Sequence, residues 1–220
     1  TDLLLEEAKI DHVDTIGGID YNVGKLHGQD VVITGTGIGK VLSASATAAM
    51  LNNFNITEAI FTGIAGGVED ETKVLDEVIG TKLVYHDYGT ITNDGFKWTT
   101  GNTGEMVGKD GYFFCDEKLV DLAYASACEV LGEEHVFKGV IATGDQYIAS
   151  EEYVDYLDEK FDAKACEMEG AAIGAVCTQY ETPFVILRAM SDKADGQSHE
   201  SFDNMGDIAA DNSARIVMHM

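Results

Sequence analysis

Short apolar runs rich in β-branched residues alternate along this chain with segments of helical character, and no other feature narrows the fold as far. Alternation of this kind predicts an α/β domain built on a mixed, mostly parallel sheet. Strands are expected over residues 30–34, 58–62, 77–85, 137–143, 164–168 and 184–190. Helices are expected over 40–53, 116–131, 151–160, 169–180 and from 203 onward. The small apolar stretch 44–51 suits a helix packed tightly on the sheet. Residues 88–111, rich in Gly, Thr and Asn and holding Trp98, make too long a connection to be ordinary. That stretch reads as a functional or subunit-contacting loop. Without repeats or a composition break, residues 1–220 form one domain, long enough to bury a sizeable core.

A net charge of −25 argues against nucleic acid, whose phosphates need clustered Lys and Arg, and against anionic membrane surfaces. Its simplest meaning is a solvated acidic surface. Hydrophobic residues make up 45%, which argues against global disorder. No run reaches membrane-spanning length, and no signal peptide is present. Cys115, Cys128, Cys166 and Cys177 follow no zinc spacing and suit a reduced interior, although their even number leaves a disulfide open. A cytoplasmic protein is expected, with an exported form left open by the acidity and by the start at Thr1.

Two segments carry most of the chemistry. Cys166-Glu167-Met168-Glu169-Gly170 and Arg188-Ala189-Met190-Ser191-Asp192 each deliver carboxylates at the end of an apolar run. Ligands in open parallel sheets bind outside the carboxyl ends of the strands. One carboxylate could bind ribose hydroxyls through charge-assisted hydrogen bonds. The other could protonate a leaving group. Both also fit plain helix capping. Gly35-Thr36-Gly37-Ile38-Gly39-Lys40 matches neither the Walker spacing nor the dinucleotide fingerprint, leaving a tight turn or a close backbone approach to a small ligand. Gly63-Ile64-Ala65-Gly66-Gly67 is a second such turn, and the pair makes a pocket floor plausible. In Thr143-Gly144-Asp145-Gln146-Tyr147-Ile148 the aromatic can stack on a flat heterocycle, or simply pack.

The ordered set G-I-G-K, G-I-A-G-G, Y-H-D, T-G-D-Q-Y-I, C-E-M-E-G-A-A-I and R-A-M-S-D-K-A-D-G-Q-S-H-E-S-F resembles the 5′-methylthioadenosine/S-adenosylhomocysteine nucleosidases of the nucleoside phosphorylase superfamily. The resemblance spans essentially the whole chain and implies a three-layer α/β/α domain that hydrolyses the N-glycosidic bond of 5′-substituted adenosines. By it, Asp192 is the acid at adenine N7, supported by Ser191, and Glu169 binds the ribose hydroxyls beside Glu167 and Met168. Tyr147 stacks on adenine, Ile148 offers backbone contacts to its edge, and Phe202 covers the 5′-alkylthio group. Ile38, Ile64 and Gly66 line the same pocket. A homodimer is implied, with the segment near 86–112 of one subunit completing the other's site. No cofactor or metal is implied.

The match also has departures. The family's water-activating glutamate, with the first β-strand before it, would fall ahead of Thr1, so the domain is expected to lack that strand and residues 1–10 to form the following helix. Ile64 stands where many members have a serine. Val74-Leu75-Asp76-Glu77-Val78 replaces a V-G-D-I-V pattern, which bears on packing. A purine nucleoside phosphorylase is the competing enzyme, but phosphate favours arginine forks. The only arginines are Arg188 and Arg215, neither in a glycine turn. A nucleoside-binding protein with weakened catalysis is the remaining alternative.

Overall fold

The computed structural model describes residues 2–68, 72–99, 110–194 and 198–220, with the side chains of 198–204 outside that description. Helix α1 (Asp2–Glu7) leads into three antiparallel strands, β1 (Lys9–Ile16), β2 (Ile19–Leu26) and β3 (Gln29–Ile33). After α2 (Lys40–Asn53) come β4 (Ala59–Gly67), β5 (Glu77–Tyr85), a hairpin of β6 (Gly89–Thr92) and β7 (Gly95–Trp98), and β8 (Tyr112–Phe114). The remainder alternates: α3 (Glu117–Leu131), β9 (Val136–Thr143), α4 (Glu151–Phe161), β10 (Ala163–Glu167), α5 (Gly170–Gln179), β11 (Phe184–Asp192) and α6 (Ser198–His219).

The central sheet is mixed and runs β11-β4-β10-β9-β5-β8. It curls far enough for β11 also to pair with β5, so Leu187 faces Ile79 and Ala189 faces Glu77. Every residue of β11 is buried, as expected of a strand covered on both faces. The main core gathers Val78, Ile79, Leu83, Ile141, Ile186, Leu187 and Met190 from the strands with Leu119, Ala123, Ile173 and Ile216 from helices. A second cluster under α4 joins Leu157 and Phe161 to Val84 and Val140. Among the described residues no helix is long and apolar enough to cross a membrane.

Three expectations are corrected. Helix is expected over residues 1–10, but α1 ends at Glu7 and Lys9 already pairs with Lys25. The strand at 30–34 does not join the central sheet, because it pairs with β2. Strands β1 and β2 escape the hydrophobic pattern because β1 is exposed over most of its length. Their signal is the Gly17-Gly18 pair, whose φ values of 61° and 82° suit a tight hairpin turn. Within 88–111, residues 89–98 form a hairpin rather than a loop, and 100–109 lie outside the described residues. Trp98 anchors that hairpin by donating from Nε1 to the Tyr85 carbonyl at 2.8 Å.

Candidate active site

Strand β4 lies between β10 and β11, and its glycine end is where the two carboxylate-bearing segments meet. Gly66 pairs with Cys166 on one side and with Asp192 on the other. A Cβ on Gly66 would lie 2.7 Å from the Ala194 Cβ and 3.1 Å from Asp192 Oδ1, so glycine is required for this approach.

Asp192 ends β11 and is 3% exposed. Its Oδ2 accepts from the Ser191 hydroxyl at 2.8 Å, and its Oδ1 accepts from the Ala194 amide at 2.8 Å. Asp192 therefore shapes its own turn.

The β10–α5 turn divides the work between two glutamates. Glu167 accepts from the Thr143 hydroxyl, from the amides of Glu169 (3.0 Å) and Gly170 (2.7 Å), and from the Arg188 guanidinium. Three of these four donors converge on Oε2, while Oε1 takes the Thr143 hydroxyl and keeps acceptor capacity. Glu167 thus closes the α5 N-terminus and carries Arg188, although it also lines the cleft. Glu169 occupies the cap position of α5 without capping it. Its Oε1 accepts from the Gly39 amide at 2.8 Å, and its Oε2 accepts from Arg188 at 3.0 Å. Burial pushes the Glu169 pKa up, and the nearby Glu167 charge adds to this. Arg188 and the Gly39 amide pull it back without cancelling the rise.

Arg188, 2% exposed, was missed as a site residue by reasoning from sequence. Its guanidinium lies 4.3 Å from the Phe61 ring centroid, and a Cβ on Gly63 would collide with it. A cation in the middle of an otherwise apolar strand was the available signal, since a buried charge needs partners.

Ile38, Ile64, Gly66, Tyr147, Ile148, Glu167, Met168, Glu169, Ser191 and Asp192 all line one cleft of about 940 Å³. Ile38 is 74% and Tyr147 43% exposed, while Ile148 packs against the cluster under α4. Phe202 belongs to α6, and its side chain lies outside the described residues. His86, at the start of the segment expected to reach a second subunit, is fully buried within its own chain, where Nδ1 lies 3.0 Å from the Tyr153 hydroxyl. Burial lowers its pKa. No cluster of three metal-ligating groups is found among the described residues.

The cleft is at the upper end of ligand-sized cavities, roughly 300–1,000 Å³. It continues away from the carboxylates between β3 and β4, past Val31, Ile33, Ala59, Phe61, Met50 and Phe54. Among the described strands, β3 pairs only with β2, and residues 59–65 of β4 pair only with β11. Two open strand edges thus line the same cavity.

Residues 1–220 match the family model of the phosphorylase superfamily. The chain is 38% identical over 204 residues to the 5′-methylthioadenosine/S-adenosylhomocysteine nucleosidase of Shewanella denitrificans, covering 92% of this chain and 86% of that one. A crystal structure of the nucleosidase of the same name from Neisseria meningitidis, in complex with methylthio-immucillin-A, superimposes with a TM-score of 0.89 at 37% identity, covering 99% of this chain and 92% of that one. Futalosine hydrolase of Helicobacter pylori matches with a TM-score of 0.83 at 30% identity over 98% of this chain and 90% of that one.

Proposed function

The chain belongs to the 5′-methylthioadenosine/S-adenosylhomocysteine nucleosidase family of the phosphorylase superfamily, and on that premise we propose that it hydrolyses the N-glycosidic bond of 5′-substituted adenosines at this cleft. The observation that carries the reading is that Glu169, just after β10, and Asp192, at the end of β11, line one cleft with Gly66 of β4, the strand those two flank. A nucleoside laid across that cleft has its ribose toward one carboxylate and its base toward the other.

In this reaction the C1′–N9 bond breaks, a C1′–O bond to water forms, adenine N7 receives the proton carried by Asp192, and the proton lost by the attacking water restores the Asp192 acid. Protonation turns an adenine anion into a neutral leaving group, and general-acid help of this kind is worth roughly 10²–10⁴-fold. Ser191 orients the acid. Glu169 holds the ribose hydroxyls and stabilises the positive charge that grows on the sugar. Met168, Ile38 and Ile64 line the sugar and its 5′-tail, with Phe202 over that tail. Tyr147 stacks on adenine, and the Ile148 backbone reads its edge. Glu167 braces this turn through the α5 amides and Arg188 and stands beside Glu169 at the sugar.

The phosphorolytic alternative is disfavoured because Arg188 is committed to Glu167 and Glu169. We also propose that one extended segment fills the slot between β3 and β4, pairing with both edges. Its support is the edge of residues 59–65 that no described strand pairs, opposite the side held by β11, and the apolar walls facing it, since buried backbone groups require partners. The homodimer remains part of the proposal through the segment near 86–112.

Release of adenine from 5′-methylthioadenosine, followed with and without phosphate, tests the reading. Phosphate-independent release is the expected result. A rate that requires phosphate would assign a phosphorylase, and tight nucleoside binding without release would assign a binding protein. Futalosine in the same assay separates the nucleosidase from the other hydrolase of similar fold.

A further inference from the structure

Three strand-end turns meet behind Glu169 at a cluster of one lysine and two aspartates. Lys40 is the first residue of α2, Asp87 follows β5, and Asp145 follows β9. Lys40 Nζ lies 2.7 and 2.6 Å from the two oxygens of Asp87 and 3.7 Å from Asp145 Oδ2. The Lys40 amide donates to Asp145 Oδ1 at 2.8 Å, and the Asp145 amide donates to Asp87 Oδ2 at 2.9 Å. The lysine and Asp87 side chains are mostly shielded from solvent, so their pairing is screened less than at an open surface.

The neighbouring amide does a different job. Gly39, at φ +90°, donates to Glu169 Oε1, and a Cβ there would sit 3.0 Å from Asp145 Oδ1. Consecutive amides at the start of α2 thus hold Asp145 and Glu169, as the positive end of a helix favours. Moving that end by an ångström would take the Gly39 amide off Glu169 and leave Arg188 as the partner on one oxygen alone. Without a cation between them, Asp87 and Asp145 would repel each other and push apart the turns that fix this end.

We propose that Lys40, acting through Asp87 and Asp145, is a positioning residue that sets the orientation of Glu169 toward the ribose hydroxyls. This role rests on the reading of Glu169 as the ribose carboxylate.

The test compares binding of adenosine and 2′,3′-dideoxyadenosine by calorimetry, in an Asp192→Asn background that suppresses cleavage. With Lys40 present, removing both hydroxyls should weaken binding on the order of 10–100-fold, the worth of a hydrogen bond to a charged group. Adding Lys40→Met should weaken adenosine about tenfold, a share of that worth, and leave the dideoxy ligand nearly unchanged. Lys40→Arg should restore most of the discrimination. Equal losses for both ligands, or undiminished discrimination in Lys40→Met, would overturn the positioning role. No discrimination even with Lys40 present would instead overturn the ribose role of Glu169, and this inference with it. Asp87→Asn, which keeps the shape of the cluster, should move the ratio in the same direction and guards against a misfolded lysine variant.

Discussion

Glu169 and Asp192 line the same cleft, yet the protein holds them by different means. Glu169 is fixed by a guanidinium on one oxygen and a backbone amide on the other, and the cation is itself bound to a second carboxylate. Asp192 accepts from the Ser191 hydroxyl and the Ala194 amide, two neutral donors close to it in the chain. These bonds fit the two jobs proposed for them. A carboxylate that binds hydroxyls and faces a growing positive charge works best ionised, and a fixed cation opposes its protonation. A carboxylate that must deliver a proton and take it back can be oriented in either state by neutral donors such as these.

The most severe way to break this comparison is to remove the acid. Asp192→Asn should lower kcat roughly 10²–10⁴-fold while nucleoside affinity stays within a few-fold. Near-normal adenine release from that variant would show that the proton comes from elsewhere.

On the other side, Arg188→Met should act first on folding. It leaves Glu167 and Glu169 buried without their cation, and breaking a buried pair in this way costs about 3–5 kcal/mol. Urea titration should show a lower midpoint, partly recovered by adding Glu167→Gln. An unchanged midpoint would mean that the two carboxylates do not depend on the guanidinium.

Another buried carboxylate lies outside the cleft and sharpens the contrast. Glu77 accepts from the Ser213 hydroxyl at 2.8 Å, and burial raises its pKa from 4.5 to about 8. The folded protein keeps this proton where the unfolded chain has lost it, so stability from this group falls as pH rises from about 4.5 through about 8. Glu77→Gln should therefore flatten the decline of the denaturation midpoint between pH 5 and 8. Parallel pH profiles for the two proteins would show that Glu77 ionises normally.

Much of this architecture is legible locally. The expected bounds of β5 and α2 coincide with those found, because β-branched runs and a small-residue helix advertise themselves over a few neighbours. Asp116 accepts from the amides of Lys118 and Leu119, so the expected start of α3 at 116 marks its cap. The hairpin of β1 and β2 was not legible by period, since an exposed strand has little reason to alternate.

The sequence by itself determined that carboxylates arrive at the ends of β10 and β11 beside glycine turns, because strand and turn chemistry are local. It could not say which glutamate closes the α5 amides, which one takes the Gly39 amide, or that Arg188 joins the two. Those decisions rest on contacts between distant positions: the Gly39–Glu169 bond joins residues 130 apart, and the Lys40–Asp145 bond joins residues 105 apart. A carboxylate has the same hydrogen-bonding capacity wherever it stands in a chain. Its role is set by which donors the closed sheet brings within reach, and only the tertiary structure decides that.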